Sequence, residues 1–173
     1  MIDYERKKEE ERKMGKKIII AIVVILVIAV IGVGVYFFLN NGNEETKTMD
    51  IDTASQTLAN SAPFNEMTTT DVTTELLGSL YGINTENVEK VSGKMPMMNV
   101  QASMYVLIQA KEGMVDTVKA ELDNYAKQYE EQWSTYLPEQ YELVQNRKVG
   151  TVGNTVYMII AENAEVLEQE ITK

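Results

Sequence analysis

The region around the only tryptophan of the chain is rich in carboxylates that are candidates for acid–base chemistry: Glu130, Glu131, Glu139 and Glu142. Hydrolysis of a glycosidic bond uses two carboxyl groups that face each other across a cleft. The spacing of these four residues does not place any two of them in that way, and most surface carboxylates are simply solvated. A carboxylate-dependent hydrolase that acts on cell-wall polymer therefore remains only an alternative function.

Other catalytic groups are scarce. The chain contains no cysteine and no histidine, which excludes thiolate nucleophiles, disulfides, imidazole bases and Cys/His zinc sites. The serine and threonine residues stand in no Ser-x-x-Lys or Gly-x-Ser-x-Gly motif. The sequence thus predicts no catalytic residue, no cofactor and no metal site, and it favours a protein that is not an enzyme.

The most unusual stretch is KMPMMN at residues 94–99. Methionine is flexible and polarizable, so it suits either irregular gaps in a core or an adaptable binding surface. Met97 and Met98 have opposite parity in an extended chain, and Pro96 predicts a sheet edge or a departure from the sheet. We therefore expect at least one exposed methionine here. The stretch supplies five candidates for partner binding: Lys94, Met95, Pro96, Met97 and Met98.

Aromatic residues form a second feature. Tyr125, Tyr129 and Trp133 recur at a spacing of four, which places them on one face of a helix. Such a stripe can stack on sugars, but it is more often part of a core, and we interpret it as core. Two further tyrosines, Tyr136 and Tyr141, stand on either side of a proline, and we expect them to be partly exposed and to add to the partner-binding surface.

Hydrophobic periodicity predicts an α+β domain whose elements follow the order α-α-β-β-α-β-β-α. The helices are predicted at residues 51–59, 70–82, 116–137 and 162–171, and the strands at 88–100, 104–110, 142–149 and 155–161. We expect a four-stranded antiparallel sheet with packed helices. The last strand is apolar at both parities, which predicts that it is covered on both faces. The N-terminal helices or a second copy, in a homodimer, would supply the second cover.

A membrane segment precedes this domain. Residues 18–39 are 22 residues without a charge, and a helix of that length spans a hydrocarbon core of about 30 Å. Lys16 and Lys17 precede the run, so the positive-inside rule places the N-terminus in the cytoplasm. The predicted domains follow in order: a charged cytoplasmic tail at 1–17, a helix through the lipid bilayer at 18–39, a linker at 40–52 and an extracytoplasmic domain at 53–173.

The charge of the outer region limits its partners. Residues 40–173 contain nine basic and twenty-one acidic side chains, a net charge of −12. Binding to nucleic acid requires clustered lysine and arginine that neutralise phosphates. The sequence therefore predicts no nucleic-acid partner.

Three stretches also carry a family resemblance: KMPMMNVQA from residue 94, EEQWSTYLPEQYELVQN from residue 130 and GNTVYMIIAENA from residue 153. They resemble a domain of unknown function found in membrane-anchored or lipoprotein form in Gram-positive bacteria, over about residues 50–170. The resemblance implies a location in the cell envelope. It implies no activity and no catalytic residues. The helical anchor here stands where many relatives carry a lipidated cysteine, which suggests a tethering role.

These observations favour a membrane-tethered module of the cell envelope that binds an envelope protein or peptide and is not an enzyme. The hydrolase described above is one alternative. The other is an accessory subunit of a membrane complex whose transmembrane helix makes the contact.

Overall fold

The computed structural model describes residues 48–173 of the chain, which form helices and strands. In chain order the elements are α1 (Ile51–Ala59), β1 (Thr69–Asp71), α2 (Thr74–Ser79), a 3₁₀ turn (Thr85–Asn87), β2 (Val88–Pro96), β3 (Met104–Ala110), α3 (Val115–Trp133), α4 (Pro138–Gln145), β4 (Lys148–Val152), β5 (Thr155–Ile160) and α5 (Ala164–Ile171). The predicted α+β class is confirmed.

The strands form one antiparallel sheet in the order β1-β2-β3-β5-β4. The register is set around the central strand β3, where Val106 lies opposite Gly93 of β2 and Met158 of β5. The sheet therefore has five strands, and the prediction of four is wrong. The additional strand, β1, has three residues and pairs with the end of β2, with Thr70 opposite Met95.

The predicted strand at residues 142–149 is also wrong. Residues up to Gln145 belong to α4, and the strand begins only at Lys148. Pro138, the residue directly after the long helix predicted at 116–137, occupies the first turn of α4. Proline is favoured there because the first helical N–H has no partner in the helix and its fixed φ suits the helix. The long helix α3 ends earlier, at Trp133.

The start of the second helix differs from the prediction in a similar way. Thr70, the first residue of the helix predicted at 70–82, belongs to β1. The cap is Thr73, whose hydroxyl accepts a hydrogen bond from the Leu76 backbone N–H at 3.3 Å. This bond satisfies one of the free N–H groups of the first helical turn.

Helices cover both faces of the sheet. Side chains of β3 alternate between the two layers: Met104, Val106 and Ile108 pack beneath α3, while Tyr105 and Leu107 pack beneath α1 and α5. Every residue of β5 is buried, as its apolar pattern predicted. Because α1 and α5 cover the second face, the domain does not need a second copy for that purpose.

The charged tail and the apolar run at residues 18–39 lie outside the described residues. Within residues 48–173, no helix combines the length and apolarity needed to cross a membrane. Asp50 caps α1 by accepting a hydrogen bond from the Thr53 N–H at 2.7 Å. This helix begins inside the range predicted as a linker.

Candidate functional site

A groove of about 340 Å³ lies between the segment after β2 and the exposed side of α3. We call it the methionine groove. Its lining consists of four methionines, three aromatic residues, four amides, a leucine and a proline: Met95, Met97, Met98, Met104, Tyr125, Tyr129, Trp133, Asn99, Gln101, Gln128, Gln132, Leu80 and Pro96. None of these residues carries a charge. The groove therefore combines two of the features singled out from the sequence, the methionine stretch and the aromatic stripe.

The methionine side of the groove forms where β2 leaves the sheet. Pro96 is the last residue of the strand and pairs with Thr69, and the Met97 N–H donates to the Thr68 carbonyl at 3.1 Å. Beyond this point the chain turns outward, so Met97 is 65% exposed and Met98 is 49% exposed. The predicted departure from the sheet and the predicted exposure of a methionine are both confirmed.

Lys94 lies apart from this groove. It follows the alternation of β2 and projects on the opposite face, where its Nζ lies 2.6 Å from Asp71 Oδ1. The hydrogen bond to Asp71 raises the pKa of Lys94, and partial burial opposes that shift. Of the five candidates in the stretch, four line the methionine groove and Lys94 lines a separate polar cleft.

The polar cleft has a volume of about 390 Å³ and contains a small hydroxyl network. Ser55 Oγ lies 2.7 Å from Ser92 Oγ and 3.1 Å from the Tyr105 hydroxyl. Burial raises the pKa of Tyr105, so its phenol stays protonated at neutral pH. The network joins α1 to the sheet, since Ser55 lies on the helix and the other two residues lie on strands.

The rings of Tyr125, Tyr129 and Trp133 form the helical side of the groove, and the ring of Tyr136 follows them in series. Ring centroids lie 5.7 Å apart between Tyr125 and Tyr129, 6.0 Å between Tyr129 and Trp133, and 5.6 Å between Trp133 and Tyr136. These separations are typical of packed aromatic pairs. Trp133 is only 3% exposed. The interpretation of the stripe as core is confirmed for Trp133, although the same residue also lines the groove.

The buried tyrosines of this wall do not act as bases near neutral pH. Burial raises the pKa of Tyr125, and the neighbouring Tyr129 raises it further. Burial also raises the pKa of Tyr129. These phenols remain neutral and serve as apolar surface and hydrogen-bonding groups.

Ala102 joins the two walls. Its carbonyl accepts a hydrogen bond from the Tyr129 hydroxyl at 3.4 Å, and its N–H donates to Gln140 Oε1 at 2.8 Å. The loop after the methionines is therefore attached to both α3 and α4. This attachment fixes the width of the groove, which local sequence patterns do not predict.

Two polar atoms of the groove are buried without a hydrogen-bond partner among the described residues. They are the indole N–H of Trp133, a donor, and the Oε1 atom of Gln101, an acceptor. Buried polar groups are nearly always paired, with protein or with ordered water. The unpaired donor and the unpaired acceptor can be satisfied by ordered water or by a ligand that carries both functions.

The two tyrosines near Pro138 differ in position. Tyr136 is 48% exposed and adjoins the groove through its contact with Trp133. Tyr141 is half-buried on α4, packs against the core beneath α3, and its hydroxyl accepts a hydrogen bond from Gln145 Nε2 at 3.0 Å. It is not among the residues that line the groove. The expected partial exposure is confirmed for both residues, but only Tyr136 joins the candidate surface.

The carboxylates near Trp133 do not converge on the groove. Glu130 forms an ion pair with Arg147, with 2.6 Å between Oε2 and Nη1, while Glu131, Glu139 and Glu142 are exposed. Within residues 48–173, no group of three or more acidic side chains is arranged to hold a metal ion.

Sequence reasoning missed part of the lining. Met104, Gln101 and Leu80 come from three different parts of the chain, and only the tertiary fold brings them together. Gln128 and Gln132 could have been found, because each stands three residues after a tyrosine of the aromatic stripe, and residues three apart are neighbours on the surface of a helix.

Comparison with known families identifies the family of this chain. Residues 60–161 match the family described as Domain of unknown function (DUF4358), and this match covers more than half of the chain. The chain therefore belongs to that family, and the resemblance noted in the sequence is confirmed to this extent. No curated protein and no solved structure gives a significant match.

Proposed function

We propose that this chain is a membrane-tethered module of the cell envelope and that its methionine groove binds an uncharged, apolar peptide segment of a partner protein. The tether is the apolar run at residues 18–39, which follows two lysines. The binding role rests on one observation: an uncharged groove contains exposed thioethers together with an unpaired donor and an unpaired acceptor.

A peptide group complements these unpaired atoms. Each peptide unit other than proline offers one N–H and one carbonyl. Once the flexible methionine side chains rotate and expose these two buried atoms, a carbonyl of the ligand can accept from Trp133 Nε1 and an N–H of the ligand can donate to Gln101 Oε1. The exposed amides of Gln128 and Gln132 on the same wall can pair with further backbone groups. Extended or irregular peptide segments have such groups free, whereas the interior of a helix does not.

The side-chain preference follows from the lining. Leu80, Met97 and Met98 are large apolar side chains with exposed fractions of 47%, 65% and 49%. Thioethers adapt their shape to varied apolar partners. The lining carries no charge although the outer region is strongly acidic, so charged ligand residues would lose hydration without gaining a partner. These features favour an uncharged apolar segment.

A photo-crosslinking amino acid at Gln132, an exposed position on the groove wall, tests the proposal in cells. We expect an adduct with one discrete protein, and we expect Met97→Ser with Met98→Ser to abolish it. Because both methionines are exposed, the melting temperature should change by less than about 3 °C. The control Met114→Ser alters an exposed methionine outside the groove and should leave the adduct intact.

A crosslinker at Gln169, an exposed position on α5, supplies the second control. An adduct that forms equally from Gln132 and Gln169, or that survives the double substitution, would contradict a groove-specific partner. A large drop in melting temperature would show instead that the two methionines support the core.

The proposed topology leads to a separate prediction. Protease added to intact cells from which the wall has been removed should degrade an epitope fused after Lys173 and should spare one fused before Met1, because Lys16 and Lys17 are expected to hold their end of the apolar run inside. Immunoblotting of the two epitopes gives the result, with lysed cells as the control. Protection of the C-terminal epitope in intact cells would refute the orientation.

A further inference from the structure

We propose that the thioethers of Met95, Met97, Met98 and Met104, together with the indole of Trp133, form a binding site for a soft monovalent cation, copper(I). All five side chains line the methionine groove. This site goes beyond peptide binding and does not depend on it.

The fold brings these four methionines to one groove from two strands and a turn. Lys94 of β2 lies opposite Tyr105 of β3, so the next pair in this antiparallel register is Met95 and Met104. Directly opposed residues on one face have Cβ atoms about 4.5–5.5 Å apart. Met97 and Met98 follow immediately, beyond Pro96, where the chain turns over the same groove.

The side chains suit convergence on an ion. Methionine is unbranched and has three rotatable bonds, so its sulfur atom can point in several directions without a change in the backbone. Met97 and Met98 are largely exposed and therefore free to reorient. Met104 is fully buried and supplies a fixed donor at the base of the groove.

The donor set determines the class of ion. Thioether sulfur is a soft ligand that selects copper(I), whereas magnesium, calcium and manganese prefer carboxylate, carbonyl and water oxygen. The groove contains no carboxylate, and the chain has no cysteine or histidine. Zinc sites draw on cysteine, histidine and carboxylate, so the lining does not suit zinc. Silver(I) has the same charge and a similar softness, and it serves as a redox-stable probe.

Trp133 adds an aromatic contact and a reporter. A cation within about 6 Å of an indole ring is attracted by the ring quadrupole, and tryptophan is the strongest of the aromatic residues in this respect. Trp133 is the only tryptophan of the chain, so a cation held against it will quench essentially all of the tryptophan emission. The net charge of −12 over residues 40–173 also raises the local concentration of cations.

The test uses the full chain in detergent, titrated with silver(I) in chloride-free buffer while tryptophan emission is recorded. We expect saturable quenching with one equivalent bound, and the same behaviour with copper(I) under anaerobic reducing conditions. Met97→Leu with Met98→Leu keeps the apolar volume but removes two sulfur atoms. Since loss of even an outer-shell partner costs about 10–100-fold in metal affinity, this variant should bind silver(I) at least about tenfold more weakly.

The matched control is Met49→Leu with Met114→Leu, which removes two sulfur atoms that do not line the groove; its titration should match that of the unaltered chain. Equal weakening in both double variants, unchanged binding in the groove variant, or an absence of saturable binding would each overturn the proposal. The groove variant also distinguishes cation binding from peptide binding. Its leucines preserve the apolar surface, so the crosslinker at Gln132 should still form its adduct.

Discussion

Replacing Trp133 by alanine should lower the free energy of unfolding by about 3–5 kcal/mol. The indole is 3% exposed, lies against Tyr129 and Tyr136, and belongs to the core beneath α3. Its removal takes away a large buried apolar surface and leaves a cavity at the end of the helix that the neighbouring rings cannot close without leaving their own positions.

Urea unfolding followed by circular dichroism measures this loss, because the variant has no tryptophan to report it. The control is Val166→Ala, at a residue that is 54% exposed on α5; we expect a change within about 0.5 kcal/mol. In the unaltered domain the Trp133 emission should be blue-shifted and poorly quenched by acrylamide. A red-shifted, readily quenched emission, together with a small change in stability, would show that the ring is a solvent-facing platform.

Gly93→Ala should destabilise the domain by about 1–3 kcal/mol, although it adds only one methyl group. A Cβ atom at this position would lie 2.5 Å from the Tyr105 carbonyl oxygen and 3.0 Å from the Val106 Cα atom. Both obstacles belong to the backbone of β3, the central strand, and cannot rotate away. The side chain of Val72 lies 3.1 Å away on another side. Relief therefore requires β2 and β3 to separate, which weakens their hydrogen bonds.

Gly78→Ala is the matched control for this substitution. Gly78 lies within α2, and the nearest atom to an added Cβ is the Cγ2 methyl of Thr85 at 3.3 Å. A side-chain methyl can shift by a few tenths of an ångström, and alanine favours the helix by about 0.5–1 kcal/mol over glycine. Chemical unfolding should thus show a neutral or stabilising effect at Gly78. Equal destabilisation at both positions would contradict the explanation based on the strand contact.

The elements that could be predicted are those with long, regular apolar patterns. The strand at residues 104–110 and the body of the long helix follow directly from their periodicity. β1 could not be found in this way, because its residues are polar and half-buried or exposed. Backbone pairing with β2 and the ion pair between Asp71 and Lys94 hold the strand in place, and neither shows in a local apolar pattern. The segment at 138–145 has Tyr141 and Leu143 two residues apart, which mimics a strand, while the helix buries Val144.

The candidate site was predictable in its parts but not as a unit. Opposite parity and the proline ring are local properties, and they were enough to predict that at least one of Met95, Met97 and Met98 is exposed. The meeting of these residues with Trp133 is a contact between distant parts of the chain, which depends on the packing of α3 across the sheet. Sequence patterns also offered a choice between core and surface for Trp133, whereas the ring is buried and still forms a wall of the groove.

The two helices on the second face have a practical consequence for the limits of the domain. The family match runs from residue 60 to residue 161, and α1 ends just before it while α5 begins just after it. A chain trimmed to the match would retain every residue of the methionine groove but would leave Tyr105, Leu107 and Ile159 uncovered. So large an apolar surface in water favours self-association. The compact unit formed by residues 46–173 is therefore larger than the signature by which the family is recognised, and we expect a trimmed chain without the two flanking helices to aggregate.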